Sequence, residues 1–267
     1  MTSKTPSLPV KHLLPGLCLT LLLLLSACSA PGVGSGNTTS TSTPGATNPP
    51  ISVPTQIPTI SSIPTVPALN STQLLNTNLI FNGDAESGPG ASDDTSIEPV
   101  PGWARQGSSD VIQYAATSGS YLAVSDPGPS NRGKNYFFGG EEDTSKFGDN
   151  TTTSLTQVID LSPVATVLAQ ANLQFTLSAW LGGYSGQNDN AQLTIQFLSA
   201  NGESLAKTSI GPVMAVERNN TNSLVQKSID GKVPAGAAKI SVVLTLTKTD
   251  GSDNDGSADN LSLVFHP

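Results

Sequence analysis

The chain holds little of what catalysis draws on. Of its 267 residues two are cysteines and two are histidines. Cys18, Cys28 and His12 all lie near the N-terminus, so the rest of the chain has no thiol and one imidazole, His266. That leaves no material for a Cys-His or Ser-His-Asp site, for a Cys/His zinc centre, or for a disulfide framework. Charge is also sparse, at 12% of residues, with 12 Lys and Arg against 20 Asp and Glu. No basic run follows the first residues, and without clustered cations phosphate contacts fail, so nucleic acid is not an expected partner. There is no Gly-rich phosphate loop, no βαβ alternation and no internal repeat. Two carboxylates could still hydrolyse a glycoside. The candidates are Glu98, Glu141, Glu142, Asp143, Glu203 and Glu217. Their densest group, "GGEEDTSKFGD", reads as an exposed loop, and no spaced catalytic pair stands out. The chain is not expected to be an enzyme.

What is abundant is glycine (25), proline (20) and small polar residues. This mixture suits β-strands joined by turns. Lys4, Lys11 and His12 precede an apolar stretch from Leu13 to Leu25, too short for a confident membrane span and right for a signal-peptide core. It ends in "LSAC", which resembles the lipobox of bacterial lipoproteins. The resemblance implies lipidation at Cys28, export, and anchoring to the outside of the bacterial cell membrane through acyl chains alone. An ordinary secretory signal with a chance cysteine is the bland alternative. Residues 29–70 contain no charged and no aromatic side chain and are rich in Ser, Thr and Pro. Such a segment cannot bury enough apolar surface to fold, and it reads as a disordered linker or stalk.

From residue 71 to 267 strand-like runs recur at β-sandwich intervals: "NLIFN" (78–82), "DVIQYAA" from Asp110, "NYFFGG" from Asn135, "LQFTLSAWL" (173–181), "AQLTIQFL" (191–198), "KISVVLTLT" (239–247) and "NLSLVF" (260–265). One short helix is expected near "LSPVATVLAQA", capped by Ser162 with Pro163 in its first position. The runs 173–180 and 191–197 alternate strictly and flank "GGYSGQNDN". They are expected to form a hairpin with one buried face. Its other face would carry Gln174, Trp180, Gln192 and Gln196, uncharged polar groups around a flat aromatic, which suit a saccharide. A merely solvated face is the alternative, and the loops near Trp103 and Tyr184 are a second possible site.

Five landmarks in order, "NLIFNGDAESG", "VPGW", "SAWLGGY", "GKVPAGAAKISVVL" and "SADNLSL", make residues 78–267 resemble a galactose-binding-like β jelly roll of the kind found in carbohydrate-binding modules. The resemblance implies an all-β antiparallel sandwich whose first and last strands lie side by side. It also implies a structural calcium between them, with Glu86 and Asp259 at the matching places. Many sugar-binding relatives have an aromatic where Ala85 stands. The acidic "TDGSDNDGSADN" fits no EF-hand frame: from Asp250, position 6 is Asp255, and from Asp253 it is Ala258. Asp250, Asp253 and Asp255 are therefore expected in a solvated turn, with Asp259 as a metal ligand. A fully hydrated loop is the alternative. The head is expected to bind a glycan or cell-wall polysaccharide, or else to act as a structural or adhesive domain.

Overall fold

The computed structural model describes residues 64, 66–117, 121–170 and 172–267. The signal peptide, Cys28 and residues 29–63 of the linker lie outside the described residues. Among the described residues ten strands are formed: β1 (Ala104–Gln106), β2 (Asp110–Gln113), β3 (Asn135–Gly140), β4 (Thr152–Asp160), β5 (Gln174–Gly183), β6 (Asn190–Leu198), β7 (Ser204–Ile210), β8 (Ser223–Lys232), β9 (Lys239–Thr247) and β10 (Asn254–His266). They build two antiparallel sheets, β1-β4-β9-β6-β7 and β2-β3-β10-β5-β8. The domain is an antiparallel β-sandwich, as the strand pattern and the jelly-roll resemblance imply. Among the described residues no helix is long and apolar enough to cross a membrane.

Period-2 alternation places the core. In β9, Ile240, Val242, Leu244 and Leu246 are fully buried. They face Leu177, Leu181 and Phe265 of the other sheet within one apolar cluster. Phe197 bridges the layers, its ring 5.4 Å from Phe175 and 6.3 Å from Phe265. Deleting such a ring costs about 3–5 kcal/mol.

Three expectations are corrected. First, β5 and β6 are consecutive but not paired. β5 lies between β10 and β8, and β6 lies between β9 and β7 in the opposite sheet. The "GGYSGQNDN" connection crosses from one sheet to the other because both strands alternate toward the same core from opposite sides. Second, "NLIFN" is not a strand. Its Asn78 side chain stands in for a peptide unit, donating to Leu261 O (2.9 Å) and accepting from Leu263 N (2.9 Å) and Ile80 N (3.0 Å). Left-handed Asn82 (φ 49°) then turns the chain, and Gly83 follows so close to Leu261 that a β-carbon would meet its carbonyl oxygen at 2.2 Å. The expected closeness of the two ends holds by this route. Third, Ser162 caps nothing. Its N–H is bound by Asp160 Oδ1 (2.9 Å), and a 3₁₀ turn at Ser162–Val164 leads into a helix at Ala165–Gln170.

The acidic approach to β10 is a solvated turn only in part: Asp250 is exposed in a bend as expected, Asp253 is half-buried, and Asp255 is buried inside the strand. β10 begins at Asn254, and Asn254, Asp255, Ser257 and Asp259 are all buried. Buried Asp189, from the β5–β6 connection, accepts backbone N–H bonds from Thr249, Asp250 and Asp255 at 2.7–2.9 Å. Asn254 donates to the carbonyls of Asn150 and Leu246. Side-chain partners thus replace water where the stretch enters β10. Arg218, 2% exposed, donates to the carbonyls of Gly183, Gln187 and Thr221 and ties the neighbouring loops together.

A candidate saccharide groove around Trp180

The outward face of the β2-β3-β10-β5-β8 sheet is polar at its β10-β5-β8 side. The register sets side chains in rows: Asp259–Trp180–Gln226, then Ser262–Ser178–Ser228, then Val264–Thr176–Asp230, then His266–Gln174–Lys232. A bulge in β10 between Asp259 and Ser262 shifts its pairing. As a result, Ala258 points inward before it, and Leu261, Leu263 and Phe265 point inward after it. The bulge, the turn at Asn78–Asp84 and the loop at Asn131 enclose an open groove of about 450 Å³. Its wall is one indole, Trp180, ringed by Asp84, Asn131, Gln226, Asn260 and Ser262.

These polar groups divide by occupation. Asn78 and Asn82 also line the groove, but their amides are bound within the fold, Asn82 by Ser87 N and Pro101 O. Asn260, held left-handed (φ 49°) within the bulge, donates to Asn131 Oδ1 at 3.1 Å. Among the described residues the side chains of Gln226 and Ser262 have no hydrogen-bond partner, and Gln226 is exposed. An aromatic plate beside unengaged amide and hydroxyl groups can stack one face of a small polyol and exchange hydrogen bonds with its edge. The volume lies within the range of small-ligand sites.

Of the residues singled out from sequence, Trp180 is in this groove. Gln174 shares its outward face but lies six residues along β5, roughly 20 Å away. Gln192 and Gln196 lie on β6 in the other sheet, so they cannot join Trp180 in one site. Trp103 is 4% exposed in the core, edge-on to Phe137 at 5.7 Å, and its indole N–H donates to Asn82 O. It cannot meet a ligand. Tyr184 is half-buried in the turn after β5 and does not line the groove. Asp84, Asn131, Gln226, Asn260 and Ser262 were missed.

Behind the groove, Glu86 and Asp259 come within electrostatic range of each other. Burial pushes the Asp259 carboxyl up to about 7; the Tyr114 hydroxyl and Asn260 N–H oppose this, while the charges of Glu86 and Asp84 add to it. Asp259 accepts from Tyr114 (2.7 Å) and Asn260 N (2.6 Å), and Glu86 Oε1 accepts from Lys134 N and Asn135 N (both 2.8 Å). Among the described residues no three His, Cys, Asp or Glu side chains converge as a metal group. Two carboxylates are hard oxygen donors, the kind of ligand that calcium takes and softer metals do not.

A second buried acidic group lies where β3 ends and β10 begins. Glu141 is pushed up to about 7 by burial, against a 2.5 Å hydrogen bond from the Tyr121 hydroxyl. Asp255 is pushed up to about 7 by burial and by Asp189, Asp253 and Glu141, with Arg218 opposing. The "GGEEDTSKFGD" loop is thus not wholly exposed.

No protein-family model matches the chain, and no curated protein matches it. Several solved structures are similar. A family 16 carbohydrate-binding module is 19% identical over 70% of this chain and 99% of its own, with a TM-score of 0.41. The CBM22-1 xylan-binding domain of Paenibacillus barcinonensis Xyn10C is 14% identical over 72% and 96%, with a TM-score of 0.34. The enzymatically active domain of tailspike protein 4 from bacteriophage CBA120 is 16% identical over 71% of this chain, with a TM-score of 0.42. This chain spans only 21% of its length. What the groove binds must be read from its own residues.

Proposed function

We propose that this domain is a non-catalytic saccharide-binding head, and that its site is the Trp180 groove. The observation that carries this is an indole set in an open polar groove beside the unengaged side chains of Gln226 and Ser262. One carboxylate, Asp84, lines the groove, where glycoside hydrolysis uses a pair. The lipobox-like "LSAC" supports attachment through Cys28 outside the bacterial cell membrane, and the uncharged 29–70 segment supports a linker between anchor and head. The hard oxygen pair Glu86 and Asp259 supports a structural calcium that would join the two ends of the domain. The test is titration calorimetry of residues 64–267 against a panel of soluble oligosaccharides, with Trp180→Ala beside the wild type. Loss of the stacking plate is expected to weaken binding by about 1 kcal/mol or more, at least fivefold. Unchanged affinity in a folded Trp180→Ala variant refutes the site.

A further inference from the structure

Resting on that reading, we propose that the groove selects saccharides by charge. It favours sugars bearing a free amino group and disfavours uronic acids, with Asp84 as the specificity-determining side chain. Asp84 is the only ionisable side chain among the residues that line the groove, and it is exposed. One of its oxygens accepts a 3.3 Å bond from Glu86 N, which fixes the carboxylate at the groove wall. No lysine or arginine lines the groove.

The nearby cations are engaged elsewhere or lie outside the groove; Lys134, whose backbone N–H binds Glu86, has an exposed side chain that does not line it. Arg132 donates to the carbonyls of Ala123, Asp126 and Pro129 and stacks over Tyr114 at 4.9 Å. Lys227 is paired with Glu217. Lys232, on the same outward strip, is six residues along β8 from Gln226, with Asp230 between them. A divalent cation on Glu86 and Asp259 would be matched by those two carboxylates and leave the charge of Asp84 uncancelled. A carboxylate on the ligand therefore meets only like charge in the groove, and an ammonium meets an exposed partner.

The test is calorimetric titration at pH 6 and low salt with hexamers of glucosamine, glucose and galacturonic acid. The wild type should bind glucosamine hexamer about two- to fivefold more tightly than the neutral hexamer, and galacturonate weaker by a similar factor, as exposed ion pairs allow. Salt near 0.5 M should compress the ordering, because it screens exposed charges. Asp84→Asn, which keeps an acceptor for Glu86 N, should abolish the ordering, and Asp84→Lys should reverse it. Equal wild-type affinity for galacturonate and the neutral hexamer overturns the proposal. So does an ordering that survives Asp84→Asn while Trp180→Ala removes all binding. If none of the three binds the wild type, the groove reading falls and this inference falls with it.

Discussion

Asp255 offers a direct test of how the acidic end of the chain folds. Its carboxyl is 3% exposed, one of its oxygens has no partner, and burial with Asp189, Asp253 and Glu141 nearby pushes it from 3.8 up to about 7. Arg218 is the one cation that opposes this. A carboxyl raised in the folded state favours folding most below its unfolded pKa, near 4. That contribution falls as pH rises and is gone above the folded value, near 7. A rise of about three units corresponds to on the order of 4 kcal/mol between these limits. For a domain of this size each kcal/mol moves Tm by about 2–4 °C, so the group alone accounts for roughly 10 °C. Glu141 and Asp110 are raised in the same direction and add to the slope. Melting of residues 64–267 followed by circular dichroism should therefore show Tm falling from pH 4.5 to pH 8. Asp255→Asn should flatten part of that fall and raise Tm at pH 8. A wild-type Tm that is flat or rises over this range refutes the reasoning, as does an Asp255→Asn variant with the wild-type slope.

Arg218→Leu should destabilise by about 3–5 kcal/mol in chemical denaturation, because buried carbonyls lose their donor and Asp189 and Asp255 lose their nearest cation. A loss under 1 kcal/mol would show that the arginine is not structural. If calcium sits at Glu86 and Asp259, chelator should lower Tm, and Asp259→Ala should start lower and not respond. A hundredfold excess of free calcium over its dissociation constant corresponds to about 2.7 kcal/mol. A chelator without effect on the wild type removes the metal. Cys28→Ala should move the full-length protein from the membrane fraction to the soluble fraction, and equal retention contradicts lipidation.

Legibility in the sequence followed periodicity. β9 matches its apolar run at Lys239–Thr247, and β5 and β6 differ from theirs by one or two residues at the ends. In these strands one face is buried, and alternation alone records which. β4 and β8 went unread because Ser, Thr and Gln carry their patterns, and Gln157 is a fully buried inward residue that bonds both N–H and C=O of Phe81. Strand pairing was not legible either. Two neighbouring alternating strands look the same whether they pair in a hairpin or face each other across a core. That ambiguity placed Gln192 and Gln196 beside Trp180.

The groove was hidden for a related reason. Its residues come from five separate stretches, Asn78–Asp84, Asn131, Trp180, Gln226 and Asn260–Ser262, and the register of β10 with β5 and of β5 with β8 brings the strand residues among them together. The bulge sets that register. Without it, Leu261, Leu263 and Phe265 could not point inward on the strand whose Ala258 also points inward, because their positions differ in parity. The extra residue is absorbed around left-handed Asn260, and the edge of β10 beyond β3 is closed by the side chain of Asn78 together with backbone bonds to Asn76, Leu79 and Gly83. The same irregularity that lets two polar-apolar patterns share one strand opens the outward face beside Trp180. The "ADNLSL" motif therefore has two parts: Asp259 lies behind the groove, and Asn260 and Ser262 form its wall.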